Sequence, residues 1–326
     1  RIGLLAALLL AVSPFHIYYS QELRSYTWLM LLSILGFYFS FRALEGNRNR
    51  DYFGMIAAFL TGIYTHIYTL FPLVIVNLHY LFECKKHRSC FRKLVFSNLL
   101  ILILGAPIFY LSLYFSTHLD IRLSDFPSGF RSLIATFYLF TMGRVFFPAG
   151  ANLLIIVPQL ALFAIGFALG LFRLWKARND QPGASMYSFV LASLVIYLSI
   201  WLISVMGFPL FDEARVNYLI FLLPIFLIIV SIGWDSLSNK LLTCIPIVAM
   251  IVFSLISNYP YYFQWDMVGR GNFRVAAEYI DRQDQVGDVV YHVNNTSTSP
   301  IDYYLNWQVP QIYPTAPGPD HEFSED

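Results

Sequence analysis

The stretch best equipped for chemistry is Ser13-Pro14-Phe15-His16-Ile17-Tyr18-Tyr19-Ser20-Gln21-Glu22-Leu23-Arg24-Ser25-Tyr26. It sets the carboxylate of Glu22 two residues from the guanidinium of Arg24, in a short polar gap between two long apolar runs. Ionisable groups at the edge of an apolar phase are costly unless they are paired or reach water. Arginine suits phosphate because its planar fork donates two parallel hydrogen bonds. The alternative is a solvated turn in which Arg24 extends its stem along apolar surface and keeps its charge wet.

Other residue types need the same weighing. His66 sits in an apolar stretch, where a histidine is either a site group or a hydrogen-bonded core group, and His16 is open to the same two readings. Asp212 and Glu213 precede Arg215 and either pair with it or contact a substrate. Asp120 and Asp125 are candidates for acceptor or metal contact. Cys84, His87 and Cys90 lie in a basic loop that repels a cation, and they lack the paired spacing of a zinc site. No metal ligand and no cofactor is expected, although a divalent metal stays open.

The elements that must position these groups are membrane helices. Of 326 residues, 57% are hydrophobic and 13% charged, against about 25% charged in an average soluble domain. Mean hydropathy is +0.59. Net charge of +1 and the lack of a basic binding face argue against nucleic acid. Three cysteines are too few for a disulfide framework. A span takes about 20 apolar residues. Spans are expected near 2–14, 25–44, 52–66, 69–83, 94–115, 150–174, 185–206, 216–234 and 240–257, about nine in all. The stretch 52–82 is long for one crossing and short for two, so it reads as a hairpin turning near His66 and Pro72.

Charge orients this bundle. Arg42, Arg48, Arg50, Lys85, Lys86, Arg88, Arg92, Lys93, Arg173, Lys176, Arg178 and Lys240 are more than half of the 21 Lys and Arg. All fall on one side of the span list, which is therefore read as cytoplasmic. The opposite side receives 14–24, 116–149, 207–215 and everything after 257. Within 116–149, Phe130, Leu133, Ile134, Phe137, Tyr138 and Phe140 fall near a helical face, which predicts a helix lying in the interface or else a further buried or re-entrant segment. The chain divides into a transmembrane domain, 1–257, and an extracytoplasmic tail, 258–326. The tail reads as a small α/β segment: a helix over 272–282, a strand over 288–293, a short helix over 301–307 and a second strand over 308–313. Asn294 and Asn295 head glycosylation sequons.

The run from Gly3 through SPFHIYYSQELRSYTWLMLL resembles the GT-C type of membrane glycosyltransferase, the group of protein O-mannosyltransferases and aminoarabinose transferases. The family pattern is matched at Ser13, Pro14, Tyr19, Ser20, Gln21, Glu22, Arg24 and Tyr26. Tyr64-Thr65-His66 resembles a second motif. Arg215 with Tyr218 and Pro224 resembles a third, with Val216 and Asn217 intervening. The resemblance implies an all-α polytopic bundle and transfer of a hexose or pentose from a polyprenyl-phosphate donor. The acceptor is a hydroxyl of a lipid, glycan or protein at the outer face. It implies that Arg24, steadied by Glu22 and Gln21, binds the lipid phosphate. Tyr19, Tyr26, His66 and Arg215 line the same cavity. The catalytic base is expected on an acidic loop upstream of Arg1, so this sequence reads as a piece lacking its first helices and inactive by itself. Relatives of this loop style are bacterial, which implies the plasma membrane, with membrane lipids as surroundings.

Two rival readings come from other classes. A transporter or flippase for a lipid-linked substrate places ionisable groups near the midplane; here they gather at the boundaries. A non-catalytic scaffold that binds a partner through its tail is compatible with the long aromatic outer loop.

Overall fold

The computed structural model describes residues 1–22, 24–118, 129–144, 153–180, 183–206, 210, 215–263, 273–283, 285, 288–291, 298–305 and 311–312. Asp120, Asp125, Asp212, Glu213, Asn294 and Asn295 lie outside them. The chain forms two units, Arg1–Phe263 and Gln264–Asp326. The division falls where the last long helix ends, a little beyond the boundary at 257 read from the sequence.

In the first unit, α1 (Ile2–Ala11) stops ahead of Pro14, which lacks an amide donor and starts α2 (Pro14–Ser20) at a bend of 54°. Ser13 caps the restart, its hydroxyl accepting from the His16 amide at 3.4 Å. A helix end leaves carbonyls without partners. Those of α1 are met from elsewhere: His16 Nδ1 lies 3.1 Å from the Leu10 carbonyl, and Asn258 Nδ2 donates to the Val12 carbonyl at 2.8 Å. His16 is thus a structural group.

Helix α3 (Tyr26–Gly46) ends at Asn47, whose φ of 48° turns the chain back into α4 (Asn49–Thr65). Buried Asp51 ties this hairpin, 3.2 Å from Arg42 and 3.8 Å from Arg50. His66 breaks the helix, and a 3-10 turn, Ile67–Thr69, leads into α5 (Leu70–Phe82). The turn falls at His66 alone, because Pro72 is accommodated in the first turn of α5. Helix α6 (Phe91–His118) is joined to α5 by a reciprocal pair in which Asn77 and Asn98 each donate to the other, at 3.1 and 2.7 Å. Such amide pairs hold helices together where no water competes.

The helix expected around 130–140 is α7 (Phe130–Met142). It packs by one face, burying Phe140 and Met142, and leaves Phe130 and Ile134 exposed on the other. Then follow α8 (Leu153–Lys176), α9 (Gly183–Val205), a 3-10 turn Val216–Leu222 running into α10 (Leu223–Asp235), and α11 (Lys240–Phe263).

Among the described residues, six helices are long and apolar enough to cross a membrane, and the bent pair α1–α2 makes a seventh if it counts as one span. The nine read from the sequence include 52–66 and 69–83, which correspond to α4, with 17 residues, and to the apolar segment Ile67–Phe82, both shorter than the others. The architecture is an all-α polytopic membrane bundle. Its centre is the segment Val216–Asp235, 78% buried against 22% for the α6 and α8 spans, which face outward. Close approach makes that centre possible. A Cβ on Gly233 would strike the backbone of Gly166 and Gly170, and one on Gly170 the Ile229 carbonyl. The small residues let α8 and α10 meet backbone to backbone.

The basic segments converge at one end, as the charge parity requires. Lys93 Nζ donates to the Asn47 carbonyl at 2.8 Å, and His87 Nδ1 meets the Leu44 carbonyl at 3.0 Å. The Cys90 thiol points at the same carbonyl. His87 and Cys90 therefore close the open end of α3.

The second unit carries α12 (Phe273–Gln283), β1 (Val290–Tyr291), α13 (Thr298–Leu305) and β2 (Gln311–Ile312). The two short strands pair in parallel, Val290 with Gln311 and Tyr291 with Ile312. A parallel pair needs a crossover, which α13 supplies. All four elements expected from the sequence are present among the described residues.

Candidate functional site

At the end opposite the basic loops, aromatic and cationic side chains from five segments meet. Arg24 follows α2 after a tight turn in which its amide donates to the Glu22 carbonyl at 2.8 Å. Its Nη1 donates to the Tyr26 hydroxyl at 3.4 Å, and that hydrogen bond is the main influence raising the guanidinium's pKa further. Glu22 acts on Arg24 more weakly, through space. The resemblance has Glu22 and Gln21 steady the arginine; the direct hydrogen bond comes from Tyr26, because the turn brings the start of α3 beneath the guanidinium. Gln21 is exposed at the end of α2, its amide donating to the Tyr18 carbonyl at 3.3 Å.

Tyr26 is buried and packs its ring against Tyr19, His66 and Tyr218 at centroid distances of 5.3, 6.0 and 5.9 Å. His66 reaches this cluster because α4 ends there. Its Nδ1 accepts from the Tyr68 amide at 3.2 Å, which places the ring proton of the neutral form on Nε2. The other two residues of the Tyr-Thr-His motif turn away: the Tyr64 hydroxyl donates to the Leu104 carbonyl and the Thr65 hydroxyl to the Thr61 carbonyl. The motif thus ends one helix and delivers a single imidazole. Tyr68 packs its ring at a tilt against Tyr218, centroids 4.8 Å apart, and its hydroxyl donates to the Leu210 carbonyl. Arg215 opens the 3-10 turn, its carbonyl accepting from the Tyr218 amide at 3.1 Å. Tyr218 is therefore the residue through which this third motif enters the cluster.

Tyr19 lies deepest. It is 2% exposed, with Phe15, Tyr18 and Tyr26 around its ring, and its hydroxyl oxygen has no hydrogen-bond partner among the described residues. The guanidinium of Arg144 lies 5.9 Å from the ring centroid, within cation–π range. Sequence reasoning missed Arg144. It is delivered by the end of α7, where Gly143 takes a φ of 68° beside Pro14 and Tyr261. A side chain at 143 would collide with both. The same helix end is pinned by Gln159, whose Nε2 donates to the Thr141 carbonyl at 2.7 Å, and Gln159 Oε1 accepts from Ser257 at 2.9 Å. The available signal was the Gly143-Arg144 pair closing the aromatic helix.

The site thus offers cations and a neutral imidazole beside a wall of phenol rings. Such a set can hold a phosphate and stack against a flat or sugar-like face. Among the described residues no three His, Cys, Asp or Glu are grouped to hold a metal ion.

Residues 1–114 match the family described as dolichyl-phosphate-mannose-protein mannosyltransferase. The resemblance to membrane glycosyltransferases of the GT-C type is thereby supported independently, and the matched stretch includes the Ser13–Tyr26 turn and His66. Arg144, Arg215 and Tyr218 lie beyond it. No curated protein and no solved structure matches the chain.

Proposed function

We propose that this bundle moves a sugar from a polyprenyl-phosphate donor to an acceptor hydroxyl at the extracytoplasmic face of the plasma membrane. One observation carries the reading. Three stretches far apart in the chain, Arg24–Tyr26, His66 and Tyr218, form one cluster at the end opposite the basic loops. In this reaction the acceptor oxygen attacks the anomeric carbon and the lipid phosphate leaves with the bonding pair. Cations placed where that negative charge develops lower the barrier. Arg24 and Arg144 take that role, with Arg215 as a further phosphate-side cation. The His66 Nε2–H donates to a phosphate or sugar oxygen, and the tyrosine wall excludes water. Glu22 and Gln21 border the opening. No residue of this chain is assigned as the base.

The test is transfer by the full protein from a polyprenyl-phosphate sugar, comparing Arg24→Ala with the parent. Removing one preorganised donor to developing charge costs roughly 10²- to 10³-fold in turnover. Undiminished transfer by Arg24→Ala removes this residue from the mechanism, and undiminished transfer by Arg24→Ala and Arg144→Ala alike sinks the assignment of the cluster as the donor site.

A further inference from the structure

The basic end holds a second site of different character. Between the end of α5 and the start of α9 lies a cavity of about 510 Å³, within the range of small-ligand pockets. Lys85, Lys86 and Arg178 line it, with one carboxylate, Glu83, and the hydroxyl groups of Tyr187 and Ser188. Glu83 is already committed. It accepts from Ser188 at 2.7 Å and lies 3.7 Å from Lys86 Nζ and 3.4 Å from His87 Nε2. Ser188 in turn meets His79 Nδ1 at 2.9 Å. Lys85 and Arg178 have no acidic partner among the described residues. The cavity therefore presents surplus positive charge with its one acid turned to internal work.

Its surroundings decide what kind of anion fits. Leu81 and Phe82, on its rim, are exposed. So are Trp175, about one turn before Arg178, and Phe172, about one turn before that. Arg178 lies 4.5 Å over the Trp175 ring and donates to the Trp175 carbonyl at 2.8 Å, and Lys176 lies 4.5 Å over Phe172. Exposed apolar rings below a level of cations mark the interface where chains give way to headgroups. A soluble anion needs the cations but gains nothing from the apolar rim.

We propose that this cavity binds the phosphate headgroup of an anionic phospholipid from the leaflet at the basic end. Lys85 and Arg178 contact the phosphate, the Tyr187 hydroxyl donates to it, and the acyl chains run down past Leu81, Phe82 and Phe172. This site is separate from the aromatic cluster and does not depend on the transfer reaction.

The experiment uses the full chain in nanodiscs of phosphatidylcholine with and without phosphatidylglycerol. Lipid that stays with the detergent-extracted protein is quantified by mass spectrometry. Phosphatidylglycerol is expected to be enriched over its share of the bilayer and to raise the melting temperature. Each Lys or Arg near a headgroup contributes about 1 kcal/mol, so Lys85→Ala with Arg178→Ala should lower the enrichment roughly tenfold or more. The charge-keeping pair Lys85→Arg with Arg178→Lys should retain it, and Arg92→Ala, an exposed cation not lining the cavity, should leave it unchanged. Unaltered enrichment in the double alanine variant overturns the proposal. So does inorganic phosphate that raises the melting temperature as much as phosphatidylglycerol does, since the site then takes a free anion.

Discussion

Tyr19 divides into two parts with different energetics. Its ring is held by Phe15, Tyr18, Tyr26 and the Arg144 guanidinium, and aromatic pairs of this kind contribute about 0.5–1.5 kcal/mol each. Its hydroxyl is buried without a partner among the described residues, which costs roughly 1–3 kcal/mol for a group taken from water. Tyr19→Phe keeps the ring and removes the cost. Its melting temperature is expected at or above that of the parent, and transfer is expected to fall if the hydroxyl is held for substrate. A lowered melting temperature would show that the oxygen serves the fold instead. Tyr19, Arg24 and Tyr26 were legible in the sequence because one short stretch of chain carries them all. His66 was legible through its motif. Arg144 was not, because the glycine before it is a weak mark when the helix it closes has no partner assigned in the sequence. It is placed by the φ of Gly143 and by Gln159 and Ser257, contacts that close only when α7, α8 and α11 have packed.

At the scale of elements, the spans were readable from apolar length, whereas the short helix α2 lies in what read as a connecting segment over 14–24. The tail was readable too, since helix and strand periods alternate there. What the pattern of apolar residues could not show is which spans touch. The α8–α10 contact depends on glycines whose missing side chains are invisible to hydropathy. Gly233 is the most confined, since an added methyl group meets backbone atoms of Gly166 and Gly170 that cannot swing aside. Gly233→Ala should therefore destabilise by about 1–3 kcal/mol, the usual cost of overpacking. Gly3 is the control. It also lies in a helix, but a Cβ there has nothing within 4 Å. Gly3→Ala should be neutral or stabilising by up to about 1 kcal/mol, as alanine is the better helix former. Thermal unfolding of both variants in detergent checks the pair. Equal effects would mean that α8 and α10 are not in backbone contact.

Across the whole bundle, the excess of positive charge gathers at one end and the Tyr19–Tyr26–His66–Tyr218 cluster, with its few arginines, at the other. Arg42, Lys93 and the Lys85–Lys86 pair sit with the ends of α3 and α5, whereas Tyr19, Tyr26, His66 and Tyr218 gather where α2 finishes and α3 begins. Excess positive charge is retained on the cytoplasmic side, so the phenol end is expected to face out. The chain supplies its own reporter. Cys84 and Cys90 lie between α5 and α6 at the basic end, and Cys244 lies in the first turns of α11, which starts there. None of the three should react with a membrane-impermeant maleimide in intact cells. Ser20 is exposed at the end of α2, beside the aromatic cluster, so Ser20→Cys should react without permeabilisation. Permeabilised cells should add Cys84 and Cys244 to the labelled set while buried Cys90 stays dark. Labelling of the parent chain in intact cells would turn the bundle over. The phenol cluster would then open to the cytoplasm, and the extracytoplasmic transfer proposed for it would be lost even if the site itself proved catalytic.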